Sequence, residues 1–329
     1  MLYKLSILIF LLALFTGCLK DEFEPSNHEQ SAIDLCQSLE RYSVSVLRPN
    51  IDYQNLKEEY LNSVNNSMRT EKFYELTKIF LLNFSDPHIW LHSPFEKMYS
   101  LENLGYTRNI SFHMVRTNYL ENITEHTESI ISGTIQDSLG YIYLANFKGE
   151  NRIMEEIFED IFIGFSDKKG LIIDLRENDG GSAYNAQSLL NKLTTQTTLW
   201  HTTENRNEYG FDKKHSWYIT PAGDYRFTKD VVVLTGRYTV SAGERFVIGA
   251  KILPKVKIIG DTTANTQGSI MGREMLNGWT YTFTFERVIA PDGMNYEGIG
   301  IDPDVYFQSD ILDLSTKDVI LEKAVSELH

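Results

Sequence analysis

The sequence predicts an α/β fold, a layered βα core preceded by an N-terminal helical region, and two patterns carry that prediction. Phe73, Leu76, Phe80 and Phe84 recur at the spacing of one face of an α-helix. Further on, Leu171–Leu175, Val231–Leu234 and Val256–Ile259 are short apolar runs separated by helical patterns. Strands covered by helices on both faces read this way.

Composition narrows what such a fold could do. The chain has 329 residues, with 31 Lys+Arg against 45 Asp+Glu and a net charge of −14. Sequence-independent nucleic-acid binding needs clustered cations, so it is not expected. Eighteen Tyr, 18 Phe and 4 Trp exclude a solvated coil. Two cysteines, Cys18 and Cys36, cannot form a disulfide framework or a cysteine-rich metal site. Cys36, among Ile33, Leu35 and Leu39, reads as a small buried hydrophobe.

Taken in order, residues 1–17 read as an export signal: Lys4, then an apolar run from Leu5 to Phe15, too short to span a bilayer. Residues 18–30 are polar and read as a tether. Residues 31–95 form the helical region, with Cys36 and Phe73 on its apolar faces. Residues 96–138 form a connector in which Ser111–Thr117 and Ser129–Ile135 are predicted strands. The core then spans 139–329. It opens with a predicted strand over Tyr141–Phe147 and a helix marked by Ile153, Ile157 and Ile161. Ala183–Leu193 and the stretch with Ala242, Phe246, Ala250 and Leu253 are predicted helices. Tyr281–Phe285 alternates, as an edge or antiparallel strand does.

Three loops could carry chemistry, each after a predicted strand or in a glycine-rich stretch. Asp174-Leu-Arg-Glu-Asn-Asp-Gly180-Gly181-Ser182 is a turn whose glycines would let N–H groups approach an anion. Thr239-Val-Ser241-Ala-Gly-Glu244 opens a helix. It reads equally as a Ser-x-x-Glu capping box or as a nucleophile beside unpaired N–H donors. Pro291-Asp-Gly-Met-Asn-Tyr-Glu297-Gly-Ile-Gly-Ile-Asp302-Pro-Asp304 places carboxylates in a glycine-rich loop. No phosphate loop, dinucleotide fingerprint or Cys-x-x-Cys pair is present. His88 and His92 have zinc-pair spacing but are flanked by Pro87 and Pro94 and lack the accompanying Glu, so neither a metal nor another cofactor is expected.

In this order the loops resemble those of the tricorn and C-terminal-processing family of serine peptidases, and the resemblance covers roughly residues 70–308. It implies a crotonase/ClpP-like core and a peptide or protein substrate. Ser241 would be the nucleophile, and Gly180 or Gly181 together with Ala242 the oxyanion donors. Thr266 stands where one branch of the family has a general-base Lys. Ser85-Asp86-Pro87-His88 matches the Asp-x-His of the tricorn-like branch, with Pro87 in place of its Ser. His88 would therefore be the base, oriented by Glu297, with a pKa raised by that carboxylate. The 50 residues from 89 to 138 leave no room for an inserted PDZ domain. A non-catalytic protein binding peptides or hydrophobic ligands on the same fold, akin to the family's retinoid-binding relatives, is the alternative.

Phe15-Thr16-Gly17-Cys18 resembles the lipobox of bacterial lipoproteins. It implies acylation at Cys18 and a place in the bacterial cell envelope, on the outer membrane, facing the periplasm or the surface. The oligomeric state is not readable from the sequence.

Overall fold

The computed structural model describes residues 27–307 and 317–329. The export signal, Cys18 and the first part of the tether lie outside the described residues. The apolar runs form the centre of a seven-stranded sheet. Its order is Val305–Tyr306, Val256–Gly260, Asp230–Thr235, Gly170–Asp174, Leu139–Leu144, Ile130–Ile135 and Glu121–Thr127. The first five strands are parallel and the last two antiparallel.

Strand side chains alternate between faces, so each central run feeds two cores. Leu171, Ile173, Val231 and Val233 pack on one face with the helices Asn151–Gly164, Ala183–Asn191 and Ala242–Lys251. Ile172, Val232, Leu234 and Ile259 pack on the other, where Ile320, Leu321 and Ala324 of the helix Val319–Glu327 cover them.

Three helices, His28–Tyr42, Tyr53–Ser63 and Thr70–Leu82, bury Leu35, Cys36, Phe73, Phe80 and neighbours in a separate core. Cys36 is fully buried there, and burial pushes its thiol up to about 12. The same core takes Ile89, Leu91, Tyr281 and Phe283 from one face of a four-stranded antiparallel sheet. That sheet is ordered Ile270–Glu274, Thr280–Thr284, Trp90–His92, Lys97–Tyr99, and it joins the N-terminal third to the core. A further sheet pairs Thr198–Asn207 with Glu286–Ile289 and His215–Ile219. Among the described residues no helix is long and apolar enough to cross a membrane.

Two expectations are corrected. Ser111–Thr117 is not a strand: Phe112–Asn118 is a helix in which Met114 and Val115 are buried, Val115 in the core on one face of the sheet. Its β-favouring composition yields to that packing. The tether ends earlier than expected, since residues 28–30 already belong to the helix His28–Tyr42 and His28 is buried. Thr280–Thr284 is antiparallel as predicted and lies inside its sheet, between Ile270–Glu274 and Trp90–His92.

Candidate active site

Three loops leave the carboxyl ends of adjacent parallel strands, after Asp174, Thr235 and Gly260, and meet at one place. Such ends are where open α/β sheets hold ligands. Arg176 anchors the first loop. Its buried guanidinium pairs with Asp174 at 2.6 Å and Asp318 at 2.8 Å. Asn178 then ties the first loop to the second: its Oδ1 accepts from the Gly180 N–H, and its backbone carbonyl accepts from the Val240 N–H.

Ser241 sits at the head of the helix Ala242–Lys251 with φ 58° and ψ −117°. A non-glycine residue there is strained by about 1–3 kcal/mol and persists only if its surroundings impose it. They do so by a hydrogen bond from the Ser241 N–H to the Thr266 carbonyl at 2.9 Å. The serine side chain makes no cap hydrogen bond. Glu244 is turned away as well, accepting from Thr263 Oγ1 at 2.5 Å, the Asn265 N–H at 3.0 Å, the Thr266 N–H at 2.6 Å and Gln267 Nε2 at 2.9 Å. The capping-box alternative is thereby excluded, and Glu244 instead holds the third loop.

Gly180 packs so closely that a Cβ on it would stand 2.6 Å from Ser241 Cβ. Its N–H is already given to Asn178 Oδ1 at 3.0 Å, which corrects the expectation that it serves as an oxyanion donor. Gly181 and Ala242 line the same cavity as Ser241, and neither N–H has a partner among the described residues. Donors at the head of a helix beside a nucleophile suit an oxyanion.

His88 lines that cavity too. Its Nδ1 lies 3.0 Å from Thr266 Oγ1 and 3.2 Å from Thr284 Oγ1. Both hydroxyl protons have carboxylate acceptors: Thr284 donates to Asp86 at 2.9 Å, and Thr266 to Asp86 at 3.1 Å or Glu297 at 3.2 Å. Each oxygen therefore presents a lone pair to Nδ1. The proton of the neutral ring belongs on Nδ1, which leaves Nε2 as the bare, basic nitrogen.

Behind the imidazole, Arg48 joins two buried carboxylates, Glu297 at 2.6 Å and Asp86 at 3.2 Å. Asp86 is held at about 2, burial being outweighed by Arg48 and by hydrogen bonds. Glu297 is pushed up by burial, against the pull of Arg48. His88 is lowered to about 4, first by burial and then by Arg48 and Arg245, with Asp86 opposing. Two expectations are corrected here. Glu297 does not pair directly with the imidazole but reaches it through the Thr266 hydroxyl, and the His88 pKa falls instead of rising because desolvation prevails.

Ser241, Ala242, Gly181 and His88 thus share one cavity of about 590 Å³, walled by Trp90, Tyr99, Leu101, Val240 and Ile270. Glu297 lies behind it, and Cys18 lies outside the described residues. Sequence reasoning missed Arg48 and Thr284 and gave Glu244 no role beyond a cap. Alternation in Tyr281–Phe285 marks Thr284 as facing away from Phe283, but nothing local marks Arg48.

The sequence profile of Peptidase family S41 matches residues 138–307. Tricorn protease of Thermoplasma acidophilum is 27% identical over 197 residues, covering 58% of this chain but only 17% of its own length. A crystal structure of a candidate peptidase from Parabacteroides merdae superposes with a TM-score of 0.81 at 23% identity, covering 92% of this chain and 97% of that one. Mature CPAF superposes with a TM-score of 0.70 at 13% identity, over 92% and 98%.

Proposed function

Because the chain belongs to peptidase family S41, we propose that it is a serine peptidase that cleaves peptide bonds through Ser241 and His88, on a crotonase/ClpP-like core. Ser241 Oγ attacks the scissile carbonyl while His88 Nε2 takes its proton. The oxyanion that forms is met by the Gly181 and Ala242 N–H groups. The imidazolium then protonates the leaving amine, and water attacks the acyl-enzyme with His88 again as base. Asp86 stabilises the transient cation, and Glu297 acts through Thr266 to fix the ring.

The observation that carries this reading is the strained backbone of Ser241. A serine that only caps a helix has no need of φ 58°, and this one makes no cap hydrogen bond. A sharp, strained turn that projects a hydroxyl into a cavity suits a nucleophile. The experiment is labelling by a fluorophosphonate probe, comparing wild type with Ser241→Ala. Labelling that disappears in the variant supports the assignment, whereas unlabelled, folded wild type favours a non-catalytic binding protein.

We further propose that Cys18 is acylated after removal of residues 1–17, so that the segment between Cys18 and the helix His28–Tyr42 tethers the enzyme to the envelope. Buried acyl chains contribute about 0.8 kcal/mol per CH₂. Cys18→Ala should therefore release the protein from membranes, and finding Met1 intact on the membrane-bound protein would refute the anchor.

A further inference from the structure

The face of the sheet that carries His88 continues past it. Ile89, Leu91, Tyr281 and Phe283 point into the helical core. By alternation His88, Trp90 and His92 share the opposite face with Thr284, Thr282 and Thr280 of the neighbouring strand and with Ile270, Gly272 and Glu274 of the edge strand. His88 and Thr284 confirm this, since their side chains meet at 3.2 Å. A second cavity, of about 450 Å³, lies on this face over Trp90, His92, Gly272, Glu274, Thr280 and Thr282. Trp90 and the edge strand border both this cavity and the one that holds Ser241.

We propose that this face extends the substrate site and receives a stretch of unfolded peptide, laid over Gly272 and against Trp90. The proposal rests on the peptidase reading. Its occupant follows from continuity, because a chain whose scissile carbonyl reaches Ser241 can leave the cavity along the floor that Trp90 shares. From His88 to His92 this floor runs about 13 Å, room for roughly four extended residues. The lining carries no net charge and so suits a neutral backbone: Arg273 offsets Glu274, beside threonines, aromatic rings and an edge glycine. Space over Gly272 is open, since a Cβ there would meet nothing within 4 Å, and its φ is not among the positive values. A larger residue at 272 is therefore tolerated by the fold and obstructs only what lies on the face.

The experiment compares wild type and Gly272→Trp on two probes, fluorescein-labelled denatured β-casein and p-nitrophenyl acetate. The ester fits within the Ser241 cavity, whereas casein must cross the face. The expected result is a fall in casein kcat/KM of at least about ten-fold, with ester hydrolysis within about two-fold, because remote binding energy is lost while the reacting centre is intact. Gly272→Ser should restore most of the casein activity. Unchanged casein cleavage in Gly272→Trp would overturn the proposal, as would an equal fall on both probes. Altered sedimentation with normal casein cleavage would assign the face to a second copy and overturn it too. If wild type cleaves neither probe, the peptidase reading fails by itself. Fluorescence anisotropy of labelled casein on Ser241→Ala then decides the groove, which stands if Gly272→Trp weakens that binding about ten-fold and falls if binding is absent or unaltered.

Discussion

Arg48 and Glu297, 249 residues apart in the chain, form a buried ion pair with Nη2 2.6 Å from Oε1. The same nitrogen lies 3.2 Å from Asp86 Oδ1, so one guanidinium pairs with two carboxylates beside the imidazole. Nη1 adds hydrogen bonds to the carbonyls of Phe84 and Ser85 and to Asn265 Oδ1. Arg48 thereby grips the segment that ends in His88 and the loop that carries Thr266.

This arrangement predicts the pH dependence. With His88 as the proposed base, activity requires its neutral ring, whose pKa is lowered to about 4 by burial, with Arg48 and Arg245 adding to it and Asp86 opposing. Of the other charges near the site, Arg48 pairs with Glu297 and Asp86, Arg245 with Glu286 and Lys148 with Asp179, while Glu244 lies buried on the Thr266 loop and Glu102 at the cavity wall. In wild type kcat/KM should rise with pH through about 4 and be level by neutrality. In Arg48→Met the unopposed carboxylates favour imidazolium, so that limb should move upward. Loss of one partner of a buried ion pair should also cost about 3–5 kcal/mol of stability. Arg48→Lys should recover part of both effects. A wild-type limb at the ordinary histidine value, unmoved in Arg48→Met, would refute the account.

Thr266 offers a second test. Its hydroxyl accepts from His88 Nδ1 and donates to a carboxylate, which Val cannot do at nearly the same shape. Thr266→Val should lower kcat about ten-fold or more with little change in KM, since ring orientation matters most in the transition state. Proton NMR should show the Nδ1–H resonance of His88 shifted or lost. Unchanged kcat would leave the imidazole held by Thr284 alone.

Ser241 predicts a trade between stability and activity. Glycine adopts positive φ without steric cost. Ser241→Gly should therefore abolish peptide cleavage and fluorophosphonate labelling yet raise stability by about 1 kcal/mol, measured by urea unfolding. A loss of stability would show that the hydroxyl, and not the strain, dominates at this position.

Much of this site was legible because of where the apolar runs stop. Leu171–Leu175, Val231–Leu234 and Val256–Ile259 mark three parallel strands, and the loops after them bring Gly181, Ser241 and Thr266 together. The choice between a capping serine and a nucleophile was not legible, because Ser-x-x-Glu serves both and only the backbone angles separate them. Gly180 and Gly181 are alike in sequence but differ in which N–H Asn178 occupies. Arg48, Asp86 and Thr284 converge from distant segments, and no local pattern encodes that meeting. Phe112–Asn118 was misread because burial of Met114 and Val115 outweighs β-propensity, and Glu121–Thr127 escaped notice because most of that strand is polar and exposed.

Glu244 supports the last prediction. Its carboxylate is fully buried and accepts from four donors of the segment 263–267, whose Thr266 in turn receives the Ser241 N–H and holds His88 Nδ1. Glu244 thus positions the loop that contacts both Ser241 and His88. Burial pushes it up to about 7, although those four donors pull the other way. A carboxyl whose folded value exceeds its unfolded one contributes stability that is fully present below about 4.5 and lost as pH rises through about 7. Glu244→Gln should remove that decline from the stability–pH curve. It should also leave at least one of the Asn265 and Thr266 N–H groups facing an amide NH₂, at about 1–3 kcal/mol per unsatisfied donor. The loop should then shift, lowering kcat more than KM changes, and slow fluorophosphonate labelling of Ser241. Glu244→Asp keeps the acceptor but shortens its reach, so it should fall between wild type and Glu244→Gln on both readouts. A Glu244→Gln enzyme with wild-type labelling rates and an unchanged stability–pH curve would reduce Glu244 to a passive filler of the core.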